Sequence, residues 1–196
     1  MLRLLSSFIA LGLASAYVVA DTNAVRKAPE LAFTLPGQGD KLLSQYRGKV
    51  VALEFILTTC PHCQAASKVM TKFQQEYGPR GFQAIDLAIN ALDEGRTPAQ
   101  ASMLTETFAN NFQVGFPVGY IGRDPMMSFM GFSIMDRMVV PQLVLIDRKG
   151  YIRYQTPAGD SEEYAKMMNE NTIQQHIEEL LSQPAGASAR RTVARR

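Results

Sequence analysis

The chain has 196 residues, the length of one domain, and its 46% hydrophobic and 19% charged residues are typical of a globular rather than a disordered protein. A net charge of +2 gives no reason to expect nucleic-acid binding, and two cysteines are too few for a disulfide-rich scaffold. All 18 acidic residues lie between Asp21 and Glu179, whereas residues 185–196 hold four arginines and no acid. The sequence is therefore an acidic body followed by a basic tail.

The first twenty residues have the pattern of a secretory signal peptide. Arg3 is followed by an apolar stretch from Leu4 to Leu13 and then by two small-residue cleavage patterns. We therefore expect residues 1–20 to be a signal peptide and the body to be extracytoplasmic, either periplasmic or secreted. Retention of residues 4–20 as a membrane anchor is the alternative, because their length of 17 residues is at the lower limit for crossing a bilayer.

Between these termini, strand and helix patterns alternate. The run VVALEFIL is apolar on both faces of a strand, which is typical of a strand covered by helices on both sides. The predicted strands are Ala28–Leu35, Val50–Leu57, Phe82–Ile89 and Phe116–Ile121, followed by a hairpin of Leu143–Asp147 and Tyr151–Thr156. The predicted helices are Pro61–Tyr77, Pro98–Phe112, a short helix at Asp124-Pro125, and Asp160–Leu181. We expect one α/β domain over residues 21–184, with helices on both faces of its sheet, and a basic disordered tail over residues 185–196.

The candidate chemistry lies in Cys60-Pro61-His62-Cys63, which follows the buried strand and opens a helix. Two cysteines three positions apart on a first helical turn can approach to disulfide distance. The ring that they close is small, so it stabilises a fold less than the roughly 3 kcal/mol of a 15-residue loop. We therefore expect a redox pair. Cys60 reacts first because the helix N-terminus favours its thiolate, and Cys63 then resolves the mixed disulfide that Cys60 has formed.

Two alternatives to a redox pair are a zinc site and an inert structural disulfide. Zinc usually has four protein ligands in a structural site, and the chain supplies two cysteines and two histidines, His62 and His176. Because His62 lies between the cysteines, we expect its side chain to point away from a site that they share. We expect His176 to face solvent on the last helix. Neither a metal nor a dissociable cofactor is expected.

Glu54 is the single charged residue in VVALEFIL. Burial of a carboxylate is costly, so its pKa should rise unless the group is paired. An acid that titrates near neutrality beside a thiol can accept and return a proton during exchange. A structural ion pair with a lysine or an arginine is the alternative.

The stretch from Ala28 to about Gly159 resembles the thioredoxin superfamily, specifically its exported TlpA/ResA-like redoxin branch. The segments that carry the resemblance are APELAFTL, GKVVALEFILTTCPHC and VVPQLVLIDRKGYI. The resemblance implies a thioredoxin-like three-layer α/β fold, with a central mixed β-sheet and helices on both faces. It also implies thiol–disulfide oxidoreductase activity.

The resemblance assigns a role to each matching residue. Cys60 matches the nucleophilic cysteine and Cys63 the resolving cysteine. Glu54 matches the buried acid beneath the resolving cysteine, where it relays that residue's proton. Pro141, preceded by Val140, matches the cis-proline that faces the disulfide and aligns the substrate backbone. An ordinary proline at the start of a strand is the alternative for Pro141.

Two departures from the family pattern leave the redox direction open. Thr58 and Thr59 stand where an aromatic residue usually precedes the first cysteine. The Pro-His spacer is that of strongly oxidising DsbA-like enzymes, whereas TlpA/ResA-like proteins are mostly reductants. Since His62 beside a thiolate stabilises the reduced form, it favours a potential toward roughly −120 mV rather than −270 mV.

Two rival functions also follow from the sequence. A peroxiredoxin-like peroxidase carries Pro-x-x-x-Thr-x-x-Cys, but Leu53 and Leu57 occupy the first two of those positions before Cys60. A copper-binding thioredoxin-like protein is the second rival, because five of the ten methionines fall between Met126 and Met138 and thioethers suit Cu(I). An apolar filler or an adaptable docking surface is the alternative for these methionines.

Together these patterns predict an extracytoplasmic thiol–disulfide oxidoreductase that exchanges disulfides with cysteine-containing client proteins. The candidate catalytic residues are Cys60, Cys63, Glu54 and His62, and the candidate substrate-binding residues are Val140 and Pro141. A membrane-bound or soluble thiol protein is expected to donate or accept the electrons. Nucleic acid is not an expected partner.

Overall fold

Eight strands form one mixed β-sheet in the part of the chain that the computed structural model describes, residues 25–184. The strands are β1 (Arg26–Lys27), β2 (Ala32–Leu35), β3 (Gly39–Leu42), β4 (Val50–Ile56), β5 (Phe82–Ala88), β6 (Val118–Tyr120), β7 (Gln142–Ile146) and β8 (Tyr151–Gln155). Their order in the sheet is β1-β8-β7-β4-β5-β6-β2-β3. The central strands β4, β5 and β6 are parallel, and β7 runs antiparallel to β4. The predicted signal peptide and basic tail lie outside the described residues.

Five α-helices cover this sheet within the same residues: α1 (Pro61–Tyr77), α2 (Pro98–Phe112), α3 (Arg123–Met130), α4 (Glu162–Met167) and α5 (Glu170–Ser182). Side chains from α1, α2 and α5 pack on one face of the sheet. Side chains from α3 pack on the opposite face, beside residues from β2 and from the turn that follows β3. The predicted three-layer α/β fold is therefore confirmed.

The central strand β4 is buried along its whole length, as its apolar sequence predicts. Successive side chains of a strand point to opposite faces. Val51 and Leu53 accordingly join the core under α3, whereas Val50 and Ala52 join the core under α1 and α5. The same alternation directs Glu54 to the α1 face, so an acid lies beneath the helix that carries both cysteines.

Several predicted element boundaries agree with the structure. Helices α1 and α2 have the predicted bounds, and β4 and β5 each end one residue before their predicted ends. The predicted hairpin forms as the antiparallel pair β7 and β8. A short helix also forms at Asp124-Pro125, as α3.

Three predictions about local structure were wrong. The strand expected from Ala28 forms only from Ala32; the Ala28 N–H instead bonds to the Gly150 carbonyl and extends the pairing of β1 with β8. The single closing helix is two helices, because the Asn169 side chain accepts hydrogen bonds from the first N–H groups of α5 and starts a new helix. His176 does not simply face solvent: it is half-buried, and its ring stacks on Tyr154 with ring centroids 3.6 Å apart.

Candidate active site

The two cysteines lie at the N-terminus of α1, directly after the buried strand β4. Cys60 is the N-cap residue, and its N–H donates to the Leu57 carbonyl at 3.1 Å, which closes the turn out of the strand. Its own carbonyl accepts from the Gln64 N–H at 3.1 Å. Both thiols are free; Cys60 is half-exposed and Cys63 is fully buried. A visiting reactant can therefore approach Cys60 more readily than Cys63.

Burial raises the pKa of the Cys63 thiol well above its usual range. Interaction with the Cys60 side chain and with the negative charge of Glu54 raises this pKa further, whereas a hydrogen bond with the Leu57 backbone lowers it. Cys63 is therefore protonated at neutral pH. It can act as a nucleophile only if a nearby base removes its proton.

Glu54 is 1% exposed and sits on the α1 face of β4. Burial, and then the neighbouring charge of Asp86, raise the pKa of Glu54 well above its usual range. Neither of its carboxyl oxygens accepts a hydrogen bond from a donor in the described residues. The alternative of an ion pair with lysine or arginine was wrong, because the partner is a second acid.

Asp86 is the residue of this site that the sequence analysis missed. It is fully buried on β5, directly opposite Glu54 in the parallel register. The Ser67 hydroxyl donates to Asp86 Oδ2 at 2.6 Å and also lies 3.0 Å from the Cys63 carbonyl oxygen. Burial raises the pKa of Asp86 to about 7, although the Ser67 hydrogen bond lowers it. Asp86 is the single charge in the predicted strand FQAIDLAI, so the signal that pointed to Glu54 was present here as well.

The loop before β7 faces the cysteines. The peptide bond between Val140 and Pro141 is cis, which is the conformation that the resemblance implies. The Tyr164 hydroxyl of α4 donates to the Pro141 carbonyl at 2.7 Å. The Gln142 side chain donates to the Val139 carbonyl at 2.8 Å and so supports the other side of the loop. Hydrogen bonds on both sides thus hold Val140 and Pro141 in place.

A groove of about 600 Å³ runs from the cysteine motif along α1 to α4. It is lined by His62, Ala65, Ala66, Val69, Val139, Val140, Pro141, Asp160, Tyr164 and Met168. The predicted site residues thus converge: His62 and Pro141 share this groove, and Cys60 and Val140 pack against the core cluster that contains Cys63. His62 itself is exposed at the end of the groove.

A pair of hydrogen bonds ties the loop before Cys60 to the segment that follows β5. The Thr58 N–H donates to Asn90 Oδ1, and Asn90 Nδ2 donates to Thr58 Oγ1, each at 3.2 Å. Thr58 is one of the two threonines that precede Cys60. Its hydrogen bonds with Asn90 fix the loop that presents Cys60 to the segment that follows β5.

Most of the methionine-rich segment packs into or against the core. Met126 and Met130 are buried in the core under α3, and Met127 and Met138 pack against that core, whereas Met135 is exposed. These methionines act mainly as apolar filler. No group of three or more His, Cys, Asp or Glu side chains suited to a metal ion occurs in residues 25–184. Over the same residues, no helix is long and apolar enough to cross a membrane.

Solved structures of thiol–disulfide proteins resemble this chain over most of its length. One is a protein from Chlorobium tepidum assigned as the thiol:disulfide interchange protein DsbE, at 25% identity, 80% coverage of this chain, 96% coverage of that chain and a TM-score of 0.59. Another is the thioredoxin domain of a thiol-disulfide oxidoreductase from Bacteroides vulgatus, at 14% identity, 77% and 95% coverage and a TM-score of 0.56. The second likeness concerns the fold alone.

A curated relative matches a shorter segment. Probable glutathione peroxidase 8-B of Xenopus laevis is 29% identical over 76 residues, which are 39% of this chain and 36% of that protein's own length. The Redoxin family model, by contrast, matches residues 23–173. This match spans well over half of the chain and includes every predicted site residue. The chain belongs to the Redoxin family, and it has the fold of the thioredoxin-like oxidoreductases.

Proposed function

We propose that this redoxin is an extracytoplasmic thiol–disulfide oxidoreductase that exchanges disulfides with client proteins through Cys60 and Cys63. The observation that carries the proposal is the contrast between the two thiols. Cys60 is half-exposed at a helix N-terminus, beside a groove, whereas Cys63 is buried one turn further along the same helix. One cysteine is thus suited to attack a visiting disulfide and the other to displace the product.

In the first step, the Cys60 thiolate attacks one sulfur of a client disulfide. A Cys60–client bond forms, the client's own S–S bond breaks, and the second client sulfur leaves as a thiolate that takes a proton from water. The free N–H groups and the positive end of the α1 dipole favour the Cys60 thiolate. His62, exposed two residues further along the chain, adds a donor that can further favour it.

In the second step, Cys63 loses its proton to Glu54 and attacks the Cys60 sulfur. The Cys60–Cys63 disulfide forms, and the remaining client sulfur leaves as a thiolate. The client gains two electrons, which the cysteine pair loses. The same steps in reverse transfer the disulfide to a client, so the potential of the pair against its partners decides the direction.

The groove beside Cys60 is the proposed client site. Its lining is largely apolar and includes side chains from α1 together with Val139, Val140 and Pro141. An extended client segment in this groove lies along Val140 and Pro141 with its cysteine at Cys60. The backbone of Val140 can pair with the client backbone, as in other complexes in which a peptide adds to a sheet edge.

An extracytoplasmic location and a thiol partner complete the proposal. The signal pattern of residues 1–20 and the likeness to a protein assigned as DsbE support this location. A second thiol protein, soluble or membrane-bound, returns the cysteine pair to its starting state after each turnover. The measured mass of the exported protein shows whether residues 1–20 are cleaved or are retained as an anchor.

A trapping experiment tests the proposal. The Cys63→Ser protein, incubated with insulin, should accumulate a mixed disulfide through Cys60, because the residue that resolves it is gone. The Cys60→Ser protein is the matched control, since it keeps the buried thiol and loses the accessible one. Mass spectrometry without reductant reads the adduct. Equal adduct formation by the two variants, or turnover of insulin by Cys60→Ser, would contradict the proposal.

A second candidate function is a thiol peroxidase, because the curated match is to a glutathione peroxidase over 76 residues. In that case Cys60 alone attacks hydrogen peroxide, becomes a sulfenic acid and releases water. The Cys63→Ser protein separates the two functions. Rapid consumption of hydrogen peroxide with no insulin adduct favours the peroxidase, and the reverse favours disulfide exchange.

A further inference from the structure

Two buried acids lie side by side beneath the cysteine motif, and the mechanism above uses only one of them. Glu54 and Asp86 are direct partners in the parallel register of β4 and β5, and both face α1. Three of their four oxygens, both of Glu54 and Oδ1 of Asp86, have no hydrogen-bond donor in the described residues. Buried acceptors without donors are costly.

A shared proton removes most of this cost. If one carboxyl group is protonated, it donates to the other, and two of the three oxygens gain a partner. Two neighbouring carboxylates also repel each other strongly at low dielectric, so both are not ionised together near neutrality. The Ser67 hydroxyl donates to Asp86 at 2.6 Å, which favours the charge on Asp86 and leaves the proton on Glu54.

We propose that Asp86 is a positioning residue of the redox site, which shares one proton with Glu54 and makes that acid able to take up the proton of Cys63. The inference rests on the proposed disulfide exchange and deepens it. The Cys63 proton passes to Glu54 while Glu54 passes its own proton to Asp86. Both acids are then neutral, and the negative charge has moved from Asp86 to the Cys63 sulfur, which attacks Cys60.

The other titratable groups near the pair are few. Cys60 and Cys63 face it from α1, and Tyr164 faces it from α4. The strand neighbours on the outer sides of the pair, Leu143 on β7 and Val118 on β6, carry no charge. The buried side chains of α2 and α5 are Ala101, Thr105, Phe108, Ile173, Ile177, Leu180 and Leu181. No buried cation from these elements compensates the pair.

Infrared titration of the reduced protein tests the shared proton without any substrate. We expect the wild type to keep one protonated carboxyl band at about pH 8, well above the usual carboxyl range. Asp86→Asn should lower the pH at which that band disappears by about one unit or more, because Glu54 loses its charged neighbour. Ser67→Ala should raise the pH of the first transition, because Asp86 loses the hydrogen bond that favours its charge.

These opposite shifts distinguish the proposal from a structural role, since damage to the fold does not predict opposite signs. Asp147→Asn is the matched control: Asp147 is also a buried aspartate, lies in the hairpin between β7 and β8, and should leave both transitions in place. An unchanged band in Asp86→Asn, or the absence of a protonated carboxyl band from the wild type at about pH 8, would overturn the shared proton.

A kinetic measurement tests whether the two acids act in disulfide exchange. The mixed disulfide of Cys60 with glutathione is prepared, and the release of glutathione by Cys63 is followed against pH. In Asp86→Asn the midpoint of this profile should move with the infrared transition, whereas it should not move in Asp147→Asn. A midpoint that stays in place while the band moves would overturn the role in proton transfer. Failure of the wild type to release glutathione would instead contradict the disulfide exchange itself and leave the infrared result intact.

Discussion

The Tyr164 hydroxyl donates a hydrogen bond to the Pro141 carbonyl at 2.7 Å and thereby connects α4 to the loop that faces the cysteines. Burial, and then the nearby Cys63, raise the pKa of Tyr164, so its hydroxyl remains protonated and keeps its role as a donor. The two residues lie 23 positions apart. Their contact makes one wall of the groove depend on the position of the other.

Removal of this hydrogen bond should weaken exchange with proteins more than exchange with small disulfides. In Tyr164→Phe the ring and the groove volume remain, but the Pro141 carbonyl loses its donor. We expect a loss of about 0.5–1.5 kcal/mol in the free energy of unfolding and a severalfold fall in kcat/KM with insulin. The rate with oxidised glutathione should stay near that of the wild type. An equal fall with both substrates would contradict a role in holding the client groove.

The two cysteines should differ sharply in their reactivity. Burial raises the pKa of the Cys63 thiol and shields that thiol from reagents. Cys60, in contrast, is half-exposed at the N-terminus of α1. Treatment of the reduced protein with iodoacetamide at neutral pH should therefore modify Cys60 alone, and modify both residues after unfolding. Peptide mass spectrometry reads the sites. Equal labelling of Cys63 in the folded protein would contradict its assignment as the enclosed, resolving cysteine.

Stability should fall as the pH rises through neutrality. Asp86 has a pKa of about 7 in the folded protein and an ordinary value of 3.8, so the folded state holds a proton that the unfolded state has lost between these values. The contribution of Asp86 to the free energy of unfolding is therefore greatest below about pH 4 and is lost as the pH rises through about 7. Each unit of pKa difference corresponds to about 1.4 kcal/mol. The raised pKa of Glu54 adds a loss of the same sign.

Urea unfolding at a series of pH values measures this dependence. Asp86→Asn should flatten the fall and should be the more stable protein at alkaline pH, because it removes the cost of a second buried charge. Asp147→Asn is the control, since that carboxylate accepts hydrogen bonds from the Lys149 and Tyr151 N–H groups and pairs with Arg153. A stability that rises from pH 5 to pH 8 in the wild type would contradict the raised pKa values of the pair.

The Thr58–Asn90 connection should fix the loop that presents Cys60. In Asn90→Ala both hydrogen bonds are lost and the Thr58 N–H is left without its acceptor, which should cost about 1–3 kcal/mol of unfolding free energy. We expect slower attack by Cys60 on oxidised glutathione. Asn169→Ala is the control, because it removes a cap of α5 at a cost of about 1 kcal/mol and leaves the cysteine loop unchanged. Equal rates for the two variants would contradict a role for Asn90 in positioning Cys60.

The parts of the fold that the sequence predicts well are those with strong local patterns. The fully apolar run of β4 and the regular apolar spacing of α1 identify a buried strand followed directly by a helix. That context places Cys60 and Cys63 at a helix N-terminus, whereas the position of Glu54 beneath the resolving cysteine was implied by the resemblance to the thioredoxin superfamily. The break before α5 was missed because apolar spacing continues through Asn169, whose side chain begins a new helix.

The rest of the site depends on contacts between distant parts of the chain. Glu54 and Asp86 meet because of the register between β4 and β5, which no local pattern specifies. The contact of Tyr164 with Pro141 depends on the position of α4 over the loop. A single acid in an apolar strand is nevertheless a local signal. It identifies Asp86 as well as Glu54, since both have apolar neighbours in the sequence.

The account depends most directly on a reversible two-electron exchange at Cys60 and Cys63, and equilibration with glutathione buffers measures it. We expect the protein to pass between a dithiol and a Cys60–Cys63 disulfide at one defined potential, as read by the mass of alkylated protein. A potential near −270 mV favours a reductase and one near −120 mV an oxidase, and either agrees with the account. A protein that forms no Cys60–Cys63 disulfide at any glutathione ratio, or forms one that glutathione cannot reduce, would contradict it.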